Sequence, residues 1–137
     1  MRIVKILKVM ALVVSFFLCS TLIAPNISFA EDVWCFSDGR FSFYLDSDTI
    51  SGSVRNGPVS YSVSGKTVLD KTGEFHQVWI YGFASENDNL VGYMFNRRNG
   101  NWDYIGLLRN NSDLRAIWET MKPYMKQKGI HYSDSWT

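Results

Sequence analysis

Leu90-Val91-Gly92-Tyr93-Met94-Phe95-Asn96-Arg97-Arg98-Asn99-Gly100-Asn101-Trp102-Asp103-Tyr104-Ile105-Gly106-Leu107-Leu108 decides the fold. Two apolar runs flank Asn99-Gly100. Asn-Gly suits a two-residue type I′ hairpin turn, because both central positions of that turn need positive φ. The turn predicts an antiparallel pair between residues 90–98 and residues 101–108. In that register Arg97 faces Trp102, Phe95 faces Tyr104, Tyr93 faces Gly106 and Val91 faces Leu108. These eight share one face, with Arg97 expected over the Trp102 ring. Met94, Ile105 and Leu107 share the other. Tyr93, Phe95, Arg97, Trp102 and Tyr104 are therefore the candidate ligand-binding residues, since exposed aromatic rings beside a cation suit sugar rings and protein hot spots.

The same punctuation continues upstream. All ten glycines follow residue 30 and separate short apolar runs, the pattern of an antiparallel meander. Asp38-Gly39 predicts another two-residue hairpin, with Phe36 opposite Phe41 and Trp34 opposite Phe43 on one face. Cys35, Val33, Ser42 and Tyr44 then share the other face. Asp46-Ser47-Asp48-Thr49 carries side chains that turn the backbone. Residues 50–54 form a weak strand, Asn56-Gly57 can reverse it, and Pro58 argues for an edge. Val59, Tyr61 and Val63 alternate with serines, a half-buried strand, and Gly65 is placed at a bulge. In residues 75–83 both faces are apolar, as in a central strand.

Downstream the period changes. Leu114, Ile117, Trp118, Met121 and Met125 fall on one arc of a helix. Ser112 or Asn111 can cap its start, and Gly129 suits its end, with Ile130 packing back on Met125. Pro123 lies opposite the apolar arc, toward water. Residues 131–137 read as a loose tail. The expected fold is α+β: an antiparallel meander of about six short strands with one C-terminal helix packed on one face.

The first 30 of the 137 residues stand apart. A basic start (Arg2, Lys5, Lys8), an apolar middle and Ser28-Phe29-Ala30 form the layout of a secretory signal peptide. Residues 31–137 then form a single secreted or periplasmic domain, or one at the cell surface, and membrane attachment would come only from an uncleaved signal. The leader holds three of the 14 basic residues and none of the 13 acidic ones, so the domain carries 11 against 13, a balance of −2. That argues against a nucleic-acid partner.

Cys35 is the one cysteine of the 107 residues that follow the leader, so an internal disulfide is excluded; the thiol is either buried or bridged to a second copy. No cofactor or metal signature is present: there is no Cys or His pair at ligand spacing, and Asp46-x-Asp48 stops short of a calcium loop. Glu74 and His76, two apart on a strand, are the only conceivable acid–base pair. The 18 aromatic residues after the leader pose a geometric question. One helix covers one face of a sheet, so the other must be covered by loops, a second copy or a ligand.

Phe43-Tyr44-Leu45-Asp46-Ser47-Asp48-Thr49-Ile50, the strand ending in Lys66-Thr67-Val68 and the turn at Thr72-Gly73 carry a resemblance. The chain from Trp34 to Gly73 resembles a group of small secreted bacterial domains that are similar to the surface-adhesin protein E family. The resemblance implies an antiparallel sheet with a C-terminal helix, a dimer, and binding to host extracellular proteins. Cys19 follows bulky residues and departs from a lipidation site, and no family binding residue maps onto a motif here. The expected function is a non-enzymatic, adhesin-like binding module for an extracellular protein or glycan. The alternatives are an envelope interaction protein acting as a homodimer and, more remotely, a small hydrolase using Glu74 and His76.

Overall fold

A computed structural model describes residues 31–54 and 57–133. The expected leader, the Asn56 half of the expected turn and residues 134–137 lie outside the described residues. In chain order come β1 (Asp32–Ser37), β2 (Phe41–Asp46), β3 (Ser51–Gly52), β4 (Tyr61–Leu69), β5 (Phe75–Glu86), β6 (Asn89–Asn96), β7 (Asn101–Leu107) and the helix α1 (Ser112–Gln127). One antiparallel sheet runs β1-β2-β4-β5-β6-β7, with the two-residue β3 beside β4. The α+β meander with a C-terminal helix is thus the observed fold. The seventh strand is the weak one, shortened to a pair of bridges, Ser51 with Ser62 and Gly52 with Tyr61.

The helix starts and stops where its sequence says. The Asn111 side chain accepts from the Leu114 amide at 3.0 Å, satisfying one orphan donor. At the other end Gly129 sits at φ +69° and the Ile130 amide donates to the Met125 carbonyl at 2.9 Å, closing a Schellman motif. Pro123 is exposed. The Lys128 ammonium then donates to three carbonyls, Ser47 at 2.8 Å, Asp48 at 3.0 Å and Ile50 at 3.2 Å. All three of its protons are used, and the end of the helix is clasped to the turn after β2. Beneath the helix, Trp118 is fully buried among Tyr61, Phe83 and Tyr132, with ring centroids at 5.3, 5.2 and 5.8 Å. Tyr132 and the Tyr61 hydroxyl, which donates to the His131 carbonyl at 2.9 Å, dock residues 131–133 on the domain. This part of the tail is packed, not loose.

Both hairpins differ from their expected registers, for one reason. Asn and Asp side chains bond to the backbone two and three residues on, and so frame turns instead of occupying them. Asp38 accepts from the amides of Arg40 and Phe41 at 2.8 and 2.7 Å, and its own amide donates to the Phe41 carbonyl at 3.1 Å. Gly39 and Arg40 become the central pair, Phe36 pairs with Phe43, and a bulge at Cys35 sets Trp34 opposite Tyr44. Phe36, Phe43 and Cys35 therefore belong to the helix-side core, and Trp34 to the other face. In the last hairpin the Gly100 amide donates to the Asn96 carbonyl at 2.8 Å. The loop has four residues, Arg97 to Gly100, so Phe95 pairs with Trp102. The same register sets Tyr93 opposite Tyr104, and a bulge at Ile105 then sets Gly92 opposite Gly106 and Val91 opposite Leu107. Arg97 is lifted into the turn, away from a cross-strand place opposite Trp102.

The second face is covered at one end by the chain's own loop. Tyr61 and Val63 face the helix, but Val59, just outside β4, turns to the opposite face. There Val54 and Val59 pack with Ala84, Val91, Tyr93, Trp102 and Leu107. A Cβ at Gly82 would lie 2.5 Å from Val59 and 2.7 Å from Trp102, so only glycine lets the segment sit this close. Gly65 marks no bulge: it pairs regularly with Leu45 and Trp79, and its bare backbone admits the Phe43 ring. The β4–β5 bulge falls later, between Thr67 and Val68.

Candidate functional site: an aromatic cleft beside the helix start

At the first turn of α1 the helix-side face of the sheet opens into a cleft of about 220 Å³. Its walls are rings from three strands. β1 and β2 supply Phe36 stacked on Phe43 at 5.5 Å, and Tyr81 of β5 meets Phe43 edge-on at 5.5 Å. Phe41, opposite Leu69 at the start of β2, stacks on His76 at 4.5 Å. The bulge makes that possible: Thr67 pairs with Gln77 and Val68 with Phe75, which leaves His76 as the extra residue. Trp79 lines the floor, its indole N–H donating to the Thr67 hydroxyl at 3.3 Å. The Arg40 guanidinium lies over the Phe41 ring, 5.0 Å from its centroid.

Two carboxylates complete the lining, Asp38 from the first turn and Asp113 from the start of α1. The Phe41 and Arg40 amides hold the Asp38 carboxyl below its ordinary range, so it is an ionised acceptor at neutral pH. Burial, and then the charge of Asp113, push the Tyr81 hydroxyl up to about 12, so it keeps its proton and remains a donor. The cleft thus offers flat π faces with fixed acceptors at its rim. Phe36, Phe41, Phe43, His76, Trp79 and Tyr81 were legible in the sequence as aromatics. Their convergence depends on the β1–β2 register and the β5 bulge, which no local pattern announces.

Tyr93, Phe95, Trp102 and Tyr104 do share the opposite face, but their rings are engaged with one another. Phe95 meets Trp102 edge-on at 5.3 Å and Tyr93 meets Tyr104 at 5.6 Å. Tyr93 is buried and its hydroxyl donates to Glu86; burial, then that carboxylate, raise it to about 12. Trp102 lies under Gly57 and Val59. Tyr104, 57% exposed, and Arg97 at the hairpin tip remain open to a ligand. Glu74 and His76 are not brought together: His76 turns onto Phe41, and Glu74 lies outside the cleft lining.

Cys35 is buried, its thiol donating to the Val33 carbonyl at 3.7 Å, and desolvation raises it from 9.0 to about 11. Two consequences are measurable. Alkylation by iodoacetamide at neutral pH is expected to be slower than in the urea-unfolded chain by about a hundredfold or more, since the thiolate fraction falls tenfold per unit and access is lost; equal rates would refute the burial. The neutral thiol also favours the fold in full below pH 9, and this contribution is lost as the pH rises from 9.0 past about 11. Cys35→Ala is expected to flatten that part of the alkaline stability curve.

Among the described residues no group of three or more His, Cys, Asp and Glu side chains is placed to hold a metal ion, and no helix is long and apolar enough to cross a membrane. Compared with known proteins, the chain matches no family model, no curated protein and no solved structure.

Proposed function

We propose that the chain is an exported, non-enzymatic binding module whose aromatic cleft holds a sugar ring of an extracellular glycan. The carrying observation is the cleft itself: aromatic rings from β1, β2 and β5 converge beside two carboxylates in a volume of about 220 Å³. A pyranose has an apolar C–H face that lies against π surfaces and a rim of hydroxyls that donate to carboxylates, and this lining offers both. The exposed imidazole of His76, held in place by the Phe41 ring on which it stacks, and the half-buried Trp79 ring are the stacking surfaces. Asp38, kept ionised by backbone amides, is the fixed acceptor. The sequence layout of residues 1–30 supports export, and the adhesin-like resemblance agrees with an extracellular target.

A glycan array probed with the labelled chain tests this. Binding to a defined subset of glycans is expected, weakened by Phe41→Ala by about tenfold as His76 loses the ring that holds it, and unchanged by Tyr104→Ala on the other face. No glycan bound, or the loss following Tyr104→Ala instead, would overturn the assignment to this cleft.

A further inference from the structure

β5 is twelve residues long, but β6 accompanies only half of it. The β5–β6 ladder runs from Glu86 opposite Asn89 to Tyr81 opposite Met94 and stops there. From Phe75 to Ile80 the strand pairs with β4 alone. Its other edge carries backbone donors and acceptors with no ladder partner among the described residues. Beyond Met94 the β6–β7 hairpin splays away, and the gap between is a groove of about 230 Å³. One wall is Gln77 to Ile80 of β5; the other is Met94 to Arg98 with Asp103.

Natural sheets guard exposed edges with charge, proline or bulges, because an open edge recruits another strand. The two outer edges here are guarded. β1 carries Asp32, ion-paired with Lys66, and the bulge at Cys35; β7 carries Asp103 and the bulge at Ile105. Phe75-His76-Gln77-Val78-Trp79-Ile80 has no acidic residue, no lysine or arginine and no proline, and beyond the bulge at His76 the run from Gln77 to Ile80 pairs regularly with β4. Phe75 is 62% exposed and Val78 37%.

We propose that this half of β5 is a strand-addition site for a single extended, acidic peptide segment of a partner protein. Main-chain bonds to the open edge would supply the affinity, and the side-chain pattern the specificity. An added strand lies about 4.8 Å from β5 and shares its alternation. One set of side chains then falls beside Val78 and Ile80, which favours β-branched residues, and the other beside Gln77 and Trp79. The acidic preference comes from the hairpin tip. Arg97 and Arg98 line the groove, both are exposed, and neither has an ion-pair partner among the described residues. The one carboxylate facing them in the groove, Asp103, accepts from the Asn96 side chain at 3.0 Å, so the mouth stays net positive. A second copy of the chain is the poorer occupant. Its strand would arrive with a neighbouring strand attached, and the groove is walled on both sides. The groove adjoins the aromatic cleft through Trp79, which lines both, but its open main-chain edge and its arginines are its own, so it stands if the glycan reading fails.

Dodecapeptides displayed on phage and selected on the purified full chain test the proposal, together with native-state hydrogen exchange. Enriched peptides are expected to carry acidic residues beside alternating β-branched ones. Arg97→Glu combined with Arg98→Glu, a change at an exposed turn that leaves the core intact, is expected to weaken their binding by about tenfold or more. N-methylation of alternate peptide amides should do the same, because it removes main-chain donors. Phe41→Ala in the cleft should leave binding unchanged. In the free protein, alternate amides between Phe75 and Ile80 should exchange quickly and become protected when peptide binds. Uniform slow exchange along the free edge, binding indifferent to N-methylation, binding lost in Phe41→Ala, or a dimer that the peptides dissociate would each overturn it.

Discussion

Replacing Trp118 by Ala is expected to cost about 3–5 kcal/mol, the range for removing a large buried aromatic side chain. A domain of this size is typically stable by about 5–15 kcal/mol, so the variant loses a large share of the total. Trp118 is fully buried and touches three rings drawn from β4, β5 and the docked tail, so no single element can collapse into the space. The residue is not ideally satisfied, however. Its indole N–H is buried with no hydrogen-bond acceptor, a defect that costs about 1–3 kcal/mol. Trp118→Phe removes that donor while keeping most of the apolar volume, and so is expected to cost clearly less than Trp118→Ala. Urea midpoints followed by far-ultraviolet circular dichroism check both variants. A Phe variant as weak as the Ala variant would show that indole shape, not ring area, holds the core.

Gly65→Ala is expected to destabilise by about 1–3 kcal/mol or more through overpacking, although it adds one methyl group. The new Cβ would sit 2.5 Å from Phe43 Cζ and 2.6 Å from the Tyr44 carbonyl oxygen. The ring is wedged between Phe36 and Tyr81, and the carbonyl belongs to β2, which pairs with β4 on both sides of this point. Neither neighbour can retreat freely. Adding Phe43→Leu is expected to recover only part of the loss, because the carbonyl contact remains. Full recovery in the double variant, measured by the same denaturant midpoints, would contradict that backbone contribution. Since Phe43 is a cleft ring, the single variant should weaken glycan retention as well.

The long-range organisation was legible because its signals are physically local. The 3.6-residue spacing from Leu114 to Met125, with Asn111 and Gly129 at its ends, fixes α1 without knowledge of its partners. The apolar character of both faces of residues 75–83 likewise marks β5 as central. Register was less legible. Asp38-Gly39 and Asn99-Gly100 mark their turns correctly, but which residues sit centrally depends on hydrogen bonds that Asp38 and Asn96 make one step away. Bulges at Cys35, Ile105 and His76 then reset the pairing, and a bulge has no fixed sequence signature. The expected patch survived because the longer loop displaces the register by two residues, which leaves Tyr93, Phe95, Trp102 and Tyr104 on one face. The cleft escaped notice because it is created by two such shifts together, the β1–β2 register and the bulge at His76, in strands far apart in the chain.

The Lys128 clasp has a consequence for how the molecule comes into being. It joins residues 78 to 81 positions apart, and the core residues Trp118, Met121 and Met125 precede it by only a few. Nothing made earlier can take their place against Phe43, Leu45 and Phe83. A chain emerging with its N-terminus first therefore holds an unroofed sheet for most of its synthesis, with long loops still to close. Its final turn is the keystone: until Lys128 and Gly129 appear, the sheet stays open on its helix side.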